Sequence, residues 1–244
     1  LGENYYPDYT LLRGRFINKY IISNSMFIYT AKQGVLLPDR VRKSETLLNS
    51  IPAKYCFITG SFLFKKKYRD IDMFIISRSK KNMSAPKNCS LTILDFNDLH
   101  SLFAHSLSKS CVAKEVLPLK PLKVTLSDFW NVVNEAIPTL LNEREKYHKN
   151  VRFLILYTEF FKTGNVMDSF ELSKKIESFK IVEDILEYVK REVPACFRNN
   201  AKPSYLRRFF YTWSGVYKKL LEYDAQKFLY SLSHLVTRTE SGGT

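Results

Sequence analysis

Apolar residues along this chain recur with two different periods, and the change from one to the other divides it. Leu11, Leu12, Phe16, Tyr20 and Ile21 stand at helical spacing, which predicts a helix over residues 8–30. Pro38 opens a second helix, with Val41, Leu47, Leu48 and Ile51 inward and Pro52 as its stop. Short apolar runs then replace the helical period. Tyr55–Thr59 reads as a strand, and Ile71–Ser77 as a second one, apolar at nearly every position as expected for a central strand buried on both faces. Residues 78–90 are polar and basic and read as a loop; a third strand is expected at Leu91–Phe96, a helix at Asp98–Ser108 and an extended piece at Val112–Leu119.

From Val124 onward only the helical period remains. Leu126, Phe129, Trp130, Val133, Ile137 and Leu141 form one stripe, with Pro138 expected to kink or end it. Further helices are expected over about 145–161, stopping at Gly164, from the capping signal Asp168-x-x-Glu171, and over 181–191, ending near Pro194. A last helix from Pro203 toward Val236 would bury Leu206, Phe209, Phe210, Trp213, Tyr217 and Leu220. The fold class implied is α/β (α+β): a helical extension at 1–37, a small mixed-sheet core at 38–123, an all-α domain at 124–240 and a flexible tail at 241–244.

Composition narrows the picture. The chain has 244 residues, 45% of them hydrophobic, enough for a packed core and against intrinsic disorder. Cys56, Cys89, Cys111 and Cys196 lie far apart, with no CxxC pair and no zinc spacing, and read as reduced thiols. No apolar run reaches the roughly 20 residues that span a bilayer, and the start lacks the basic and apolar regions of a signal peptide. The expectation is a cytoplasmic protein with no membrane partner. Its net charge of +14 favours an anionic partner.

The chemistry concentrates in Tyr55–Ser77. Strand alternation puts Asp70 and Asp72 on one face with Ile71 on the other. Adjacent carboxylates repel, and a hard oxygen-seeking cation such as Mg²⁺ keeps both ionised. Gly60-Ser61, at the end of the preceding strand, lets backbone N–H groups approach a phosphate chain. Lys65, Lys66, Lys67 and Arg69 lie between the two elements as a basic rim for triphosphate or nucleic acid. Arg207, Arg208, Lys218 and Lys219 fall on one side of the last helix, either a solvated face or a stripe for RNA or a partner.

The run ITGSFLFKKKYRDIDMFII resembles the DNA polymerase β-like nucleotidyltransferase superfamily: an apolar strand, Gly-Ser, a spacer, then Asp-apolar-Asp in the next apolar strand. The resemblance covers about residues 38–120 and is greatest to the small prokaryotic members, which include toxins and antitoxins of toxin–antitoxin pairs. The spacer departs from the pattern, with eight residues between Ser61 and Asp70, at or below the short end of the usual range. The resemblance implies two Mg²⁺ (or Mn²⁺) ions held by Asp70, Asp72 and a third carboxylate, for which Asp95 is the candidate. Setting Leu99 at the start of the next helix puts Thr92, not Asp95, at the usual acidic position. The resemblance also implies an NTP such as ATP bound at Gly60 and Ser61; the basic rim adds Lys65 beside them and Lys66 and Lys67 toward nucleic acid. The reaction implied is NMP transfer to a hydroxyl, with an RNA 3′ end (tRNA-like) ahead of a protein side chain because of the charge. The alternative is an inactive fold of this type that serves as a scaffold for RNA or a partner protein. The base of the NTP and the oligomeric state are left open by the pattern.

Overall fold

The computed structural model describes residues 26–30, 35–78, 85–200 and 204–215. The chain is mixed α+β, with a five-stranded sheet and its remaining helices in the C-terminal part. Two compact units divide the described residues. One holds those up to Thr125 together with Glu159–Ser178; the other holds Leu126–Thr158 and those from Phe179 onward. Near the boundary expected at 123/124 the chain leaves the sheet-bearing unit, and it returns to that unit at Glu159–Ser178.

The sheet-bearing unit contains β1 (Phe27–Tyr29), α1 (Pro38–Asn49), β2 (Cys56–Thr59), α2 (Ser61–Phe64), β3 (Ile71–Ile76) and β4 (Cys89–Leu94). A 3-10 turn at Asp98–His100, α3 (Leu102–Ser108) and β5 (Cys111–Ala113) follow. The strand order is β1-β5-β2-β3-β4, with β3 and β4 parallel and the other pairs antiparallel. As the nearly continuous apolar run of β3 requires, both sheet faces are covered. Ile58, Ile71, Met73 and Ile75 pack under Val41 and Leu48 of α1 and Phe62 and Leu63 of α2. Phe57, Phe74 and Ile76 pack on the other face against Leu99, Leu107 and Leu117. Phe57 and Phe74, partners across the β2–β3 ladder, stack at 5.2 Å.

Phe27–Tyr29, expected inside the first helix, is instead strand β1. Pairing with β5 decides this, and the Tyr29 hydroxyl also accepts a bond from Leu117 N at 3.2 Å. The rest of that expected helix lies outside the described residues, except for Met26 and Thr30. The helix expected over Asp98–Ser108 is split by Ser101, whose hydroxyl caps α3 by accepting from Ala104 N.

The second unit takes α4 (Leu126–Glu143), the first part of α5 (Lys149–Thr163) and α7 (Val182–Asn199); residues 204–215 form α8. Phe129 lies between Tyr157 and Phe197, and Trp130 stacks on Tyr205. Pro138 neither ends nor interrupts α4, and Pro194 lies inside α7. A proline leaves the carbonyl four residues earlier without a donor. Here those residues are Asn134 and Lys190, both exposed, so water reaches the groups. Burial of Ile137, Leu140 and Leu141 around one proline and of Val193 and Phe197 around the other outweighs the lost bond. Phe210, expected inside, is 50% exposed; Phe209 is the buried residue of that pair. Among the described residues no helix is long and apolar enough to cross a membrane, and all four cysteines are free.

The segment after β5 is tied back over α3. Lys120 N donates to Leu99 O and Lys123 N to His100 O, while the buried His105 ring donates from Nε2 to Lys120 O at 2.9 Å. Burial holds the His105 pKa below its ordinary value, and Lys109 nearby pushes it the same way, against the backbone bonds to Lys120 and Leu99. A histidine with a lowered folded pKa contributes stability above its unfolded pKa, near 6.5, and loses it as the pH falls. The thermal midpoint is therefore expected to drop as pH falls below about 6.5. In His105→Gln, which keeps a donor for Lys120, that part of the pH dependence should vanish.

Candidate active site

The site is built at one end of β2 and β3. Thr59, the last residue of β2, is the ladder partner of Asp72 in β3, so their side chains share a sheet face. The chain then turns at Gly60, with φ 82° and ψ −167°, a region essentially reserved for glycine. A methyl group on Gly60 would overlap Oδ2 of Asp72 and stand 3.4 Å from its Cγ. The Asp72 carboxylate thus lies directly on the backbone of the Gly60-Ser61 turn. Ser61 begins α2, whose single turn ends at Phe64 and closes with Lys65 N donating to Ser61 O at 2.8 Å. The eight-residue spacer leaves room for no longer helix before Asp70. Carrying the β3 alternation back one residue puts Asp70 on the face of Asp72, at the mouth of the strand. Its carboxylate is 39% exposed, and Arg69 stands 3.9 Å away.

Asp95 is not brought to this place. The parallel register sets Ser90 beside Asp72 and Thr92 beside Phe74. Asp95 follows the last residue of β4, five positions beyond Ser90 and about 16 Å along the strand. Its Oδ1 accepts instead from Asn97 N at 2.7 Å, shaping the turn into the 3-10 segment. The register therefore does not bring Asp95 beside Asp72, because the parallel pairing puts the start of β4 beside the start of β3. Ser90 and Thr92, both exposed on the Asp72 face, are the residues that this face of β4 offers. The cluster of at least three His, Cys, Asp or Glu side chains that a protein-only metal cage needs is not found among the described residues. Two carboxylates on one strand face, with the glycine backbone against one of them, do suit a Mg²⁺ or Mn²⁺ ion that takes its other ligands from phosphate and water.

Of the basic residues, Lys65 is paired with Glu177 of α6 (Ser169–Ser178). Lys66 and Lys67 are exposed. The loop that carries them is held by Arg40 of α1, whose guanidinium lies over Tyr68 at 4.6 Å and Phe62 at 5.2 Å, with Nη2 3.4 Å from Lys66 O. Arg207 and Arg208 are exposed on α8 in the other unit; Lys218 and Lys219 lie outside the described residues.

Sequence reasoning missed what supports the turn. Thr59 is wholly buried, and its Oγ1 lies 2.7 Å from Ser110 O and 3.3 Å from Ser169 Oγ. A threonine has one proton, which the shorter carbonyl contact takes, so Ser169 donates to Thr59. Ser169 starts α6 next to Asp168, which forms a reciprocal cap with Glu171 and whose pKa is raised by burial. A lone hydroxyl in the apolar strand CFIT was a visible signal for Thr59. The partner of that hydroxyl, 110 residues away, carried none.

No family model, no curated protein and no solved structure is matched by this chain. Its functional reading therefore rests on the residues themselves.

Gly60→Ala combines a disallowed backbone with a steric overlap, and is expected to destabilise the fold by about 1–3 kcal/mol in urea titration. Adding Asp72→Ala removes the overlap but not the backbone strain, so the double variant should recover part of that loss.

Proposed function

We propose that this chain is a metal-dependent nucleotidyltransferase that moves a nucleoside monophosphate from an NTP to an acceptor hydroxyl. The observation that supports it most is the contact of the Gly60 backbone with the Asp72 carboxylate across the β2–β3 ladder. A phosphate chain lying along Gly60 and Ser61 would pass over the carboxylates that share its cation, and the missing side chain at Gly60 is what permits the approach. Asp70 and Asp72 would hold Mg²⁺ or Mn²⁺, which neutralises charge on the phosphates and the departing pyrophosphate. The Ser61 hydroxyl and the N–H groups of the turn bind the terminal phosphates, and Lys65 adds a charge at the other end of α2. The acceptor oxygen bonds to the α-phosphorus, the bond from that phosphorus to the pyrophosphate breaks, and the hydroxyl proton passes to solvent. With a charge of +14 and Lys66 and Lys67 exposed beside the turn, an RNA 3′ end is favoured over a protein hydroxyl.

The position of Asp95 favours a second reading, in which the fold is kept as a scaffold that binds RNA or a partner protein without transfer. With no third carboxylate found at the turn among the described residues, the two-ion arrangement loses the protein ligand that Asp95 was expected to supply.

The two readings part in a labelling assay with the full chain, Mg²⁺, each α-³²P-labelled NTP and total RNA or protein as acceptor. Transfer predicts labelled product with at least one NTP. Asp70→Ala and Asp72→Ala should each cut it by about a hundredfold or more, with circular dichroism unchanged. Asp95→Ala should retain activity, because that side chain is remote from the turn. Absence of label from the folded wild type with every NTP and both acceptors supports the scaffold.

A further inference from the structure

Helix α6 lies within the sheet-bearing unit, although α5, before it, begins in the other one. It is tied to the phosphate-binding turn along its length. Ser169 reaches Thr59 immediately before Gly60. Phe170 meets Phe64 edge-on at 5.3 Å. Glu177 pairs with Lys65, the first residue after α2. The turn and its lysine are thus held by one helix, which carries none of the motif residues.

We propose that Glu177 is a positioning residue that competes with the triphosphate for Lys65, so that α6 sets the affinity of the site for its nucleotide. This rests on the reading of the turn as a triphosphate site. The chemistry follows from donor geometry. An ammonium group has three donors, and a carboxylate at hydrogen-bond distance takes one of them and offsets its charge, so a phosphate oxygen must compete with it. A triphosphate carries several negative charges and displaces the single carboxylate, but the binding it gains is reduced by the pair it breaks. The side chains of Lys65 and Glu177 are 36% and 44% exposed, so the pair is weak and the displacement reversible. The tie at Ser169 and the packing of Phe170 keep α6 in place while Glu177 yields, so the release is confined to one side chain.

The test is a double-mutant cycle in the full chain, read by calorimetric titration with inorganic tripolyphosphate and Mg²⁺, which needs no knowledge of the base. Glu177→Gln is expected to tighten binding about threefold to fivefold at low salt. Lys65→Ala should weaken binding, and in that background Glu177→Gln should have no further effect. The proposal is overturned if Glu177→Gln leaves affinity unchanged, or if it tightens binding equally with and without Lys65, since that is a general charge effect. Both outcomes leave the site reading intact as long as the wild type binds. A folded wild type that does not bind Mg²⁺-tripolyphosphate overturns the triphosphate-site reading and the competition together.

Discussion

At the end of β2 the backbone of Gly60 lies against the carboxylate of Asp72, in a conformation closed to any residue with a side chain. Two requirements meet at this point. The antiparallel β2–β3 ladder puts Thr59 and Asp72 opposite each other, so that the turn leaving β2 passes over the start of β3. The carboxylate on that start then needs the turn to be bare. If Gly60 carried a side chain, the turn and Asp72 would have to separate, and the face proposed for phosphate and cation would go with them.

The remainder of the sheet-bearing unit keeps that point rigid. Ile71 and Met73, on either side of Asp72, are buried under α1 and α2, which fixes β3 from below. Phe57 and Phe74 stack on the other face one step deeper than the site, so the open end begins where the aromatic packing stops. Thr59 is anchored by Ser110 O, and Ser169 reaches it from α6. The site therefore rests on strands and packed hydroxyls, and the loop of Lys65–Arg69 beside it is held by Glu177 at Lys65 and by Arg40 at Lys66 and Tyr68. An arrangement of this kind is the preformed surface that the proposed nucleotide site requires.

Much of this was legible in the chain. The run of β3 announced a strand buried on both faces, and Gly60-Ser61 with Asp70 and Asp72 could be placed on neighbouring elements from pattern alone. What could not be read was set by long-range pairing. Asp95 stands away from Asp72 because of the parallel register; the spacing to Leu99 had pointed to Thr92 instead, but not to Ser90 as the residue beside Asp72, since a shift of a few residues along β4 changes which side chain stands there. Phe27–Tyr29 read as helix until β5 supplied a pairing partner. Pro138 read as a kink or an end and Pro194 as an end because the cost of a proline is local and visible, whereas the burial that outweighs it comes from other helices. The return of α6 to the first unit, and with it Ser169 and Glu177, had no counterpart in the sequence pattern at all.

The account depends on Asp72 and the Gly60 turn forming one binding surface for a cation and a triphosphate. The most direct measurement is a crystal structure of the full chain soaked with Mn²⁺ and a non-hydrolysable NTP, with the ion located by anomalous scattering. The account predicts an anomalous peak at coordinating distance from Asp72 and Asp70, with the triphosphate along Gly60 and Ser61 and Asp95 unliganded. A nucleotide bound elsewhere, or no peak at Asp72 under saturating Mn²⁺ and nucleotide, would contradict it.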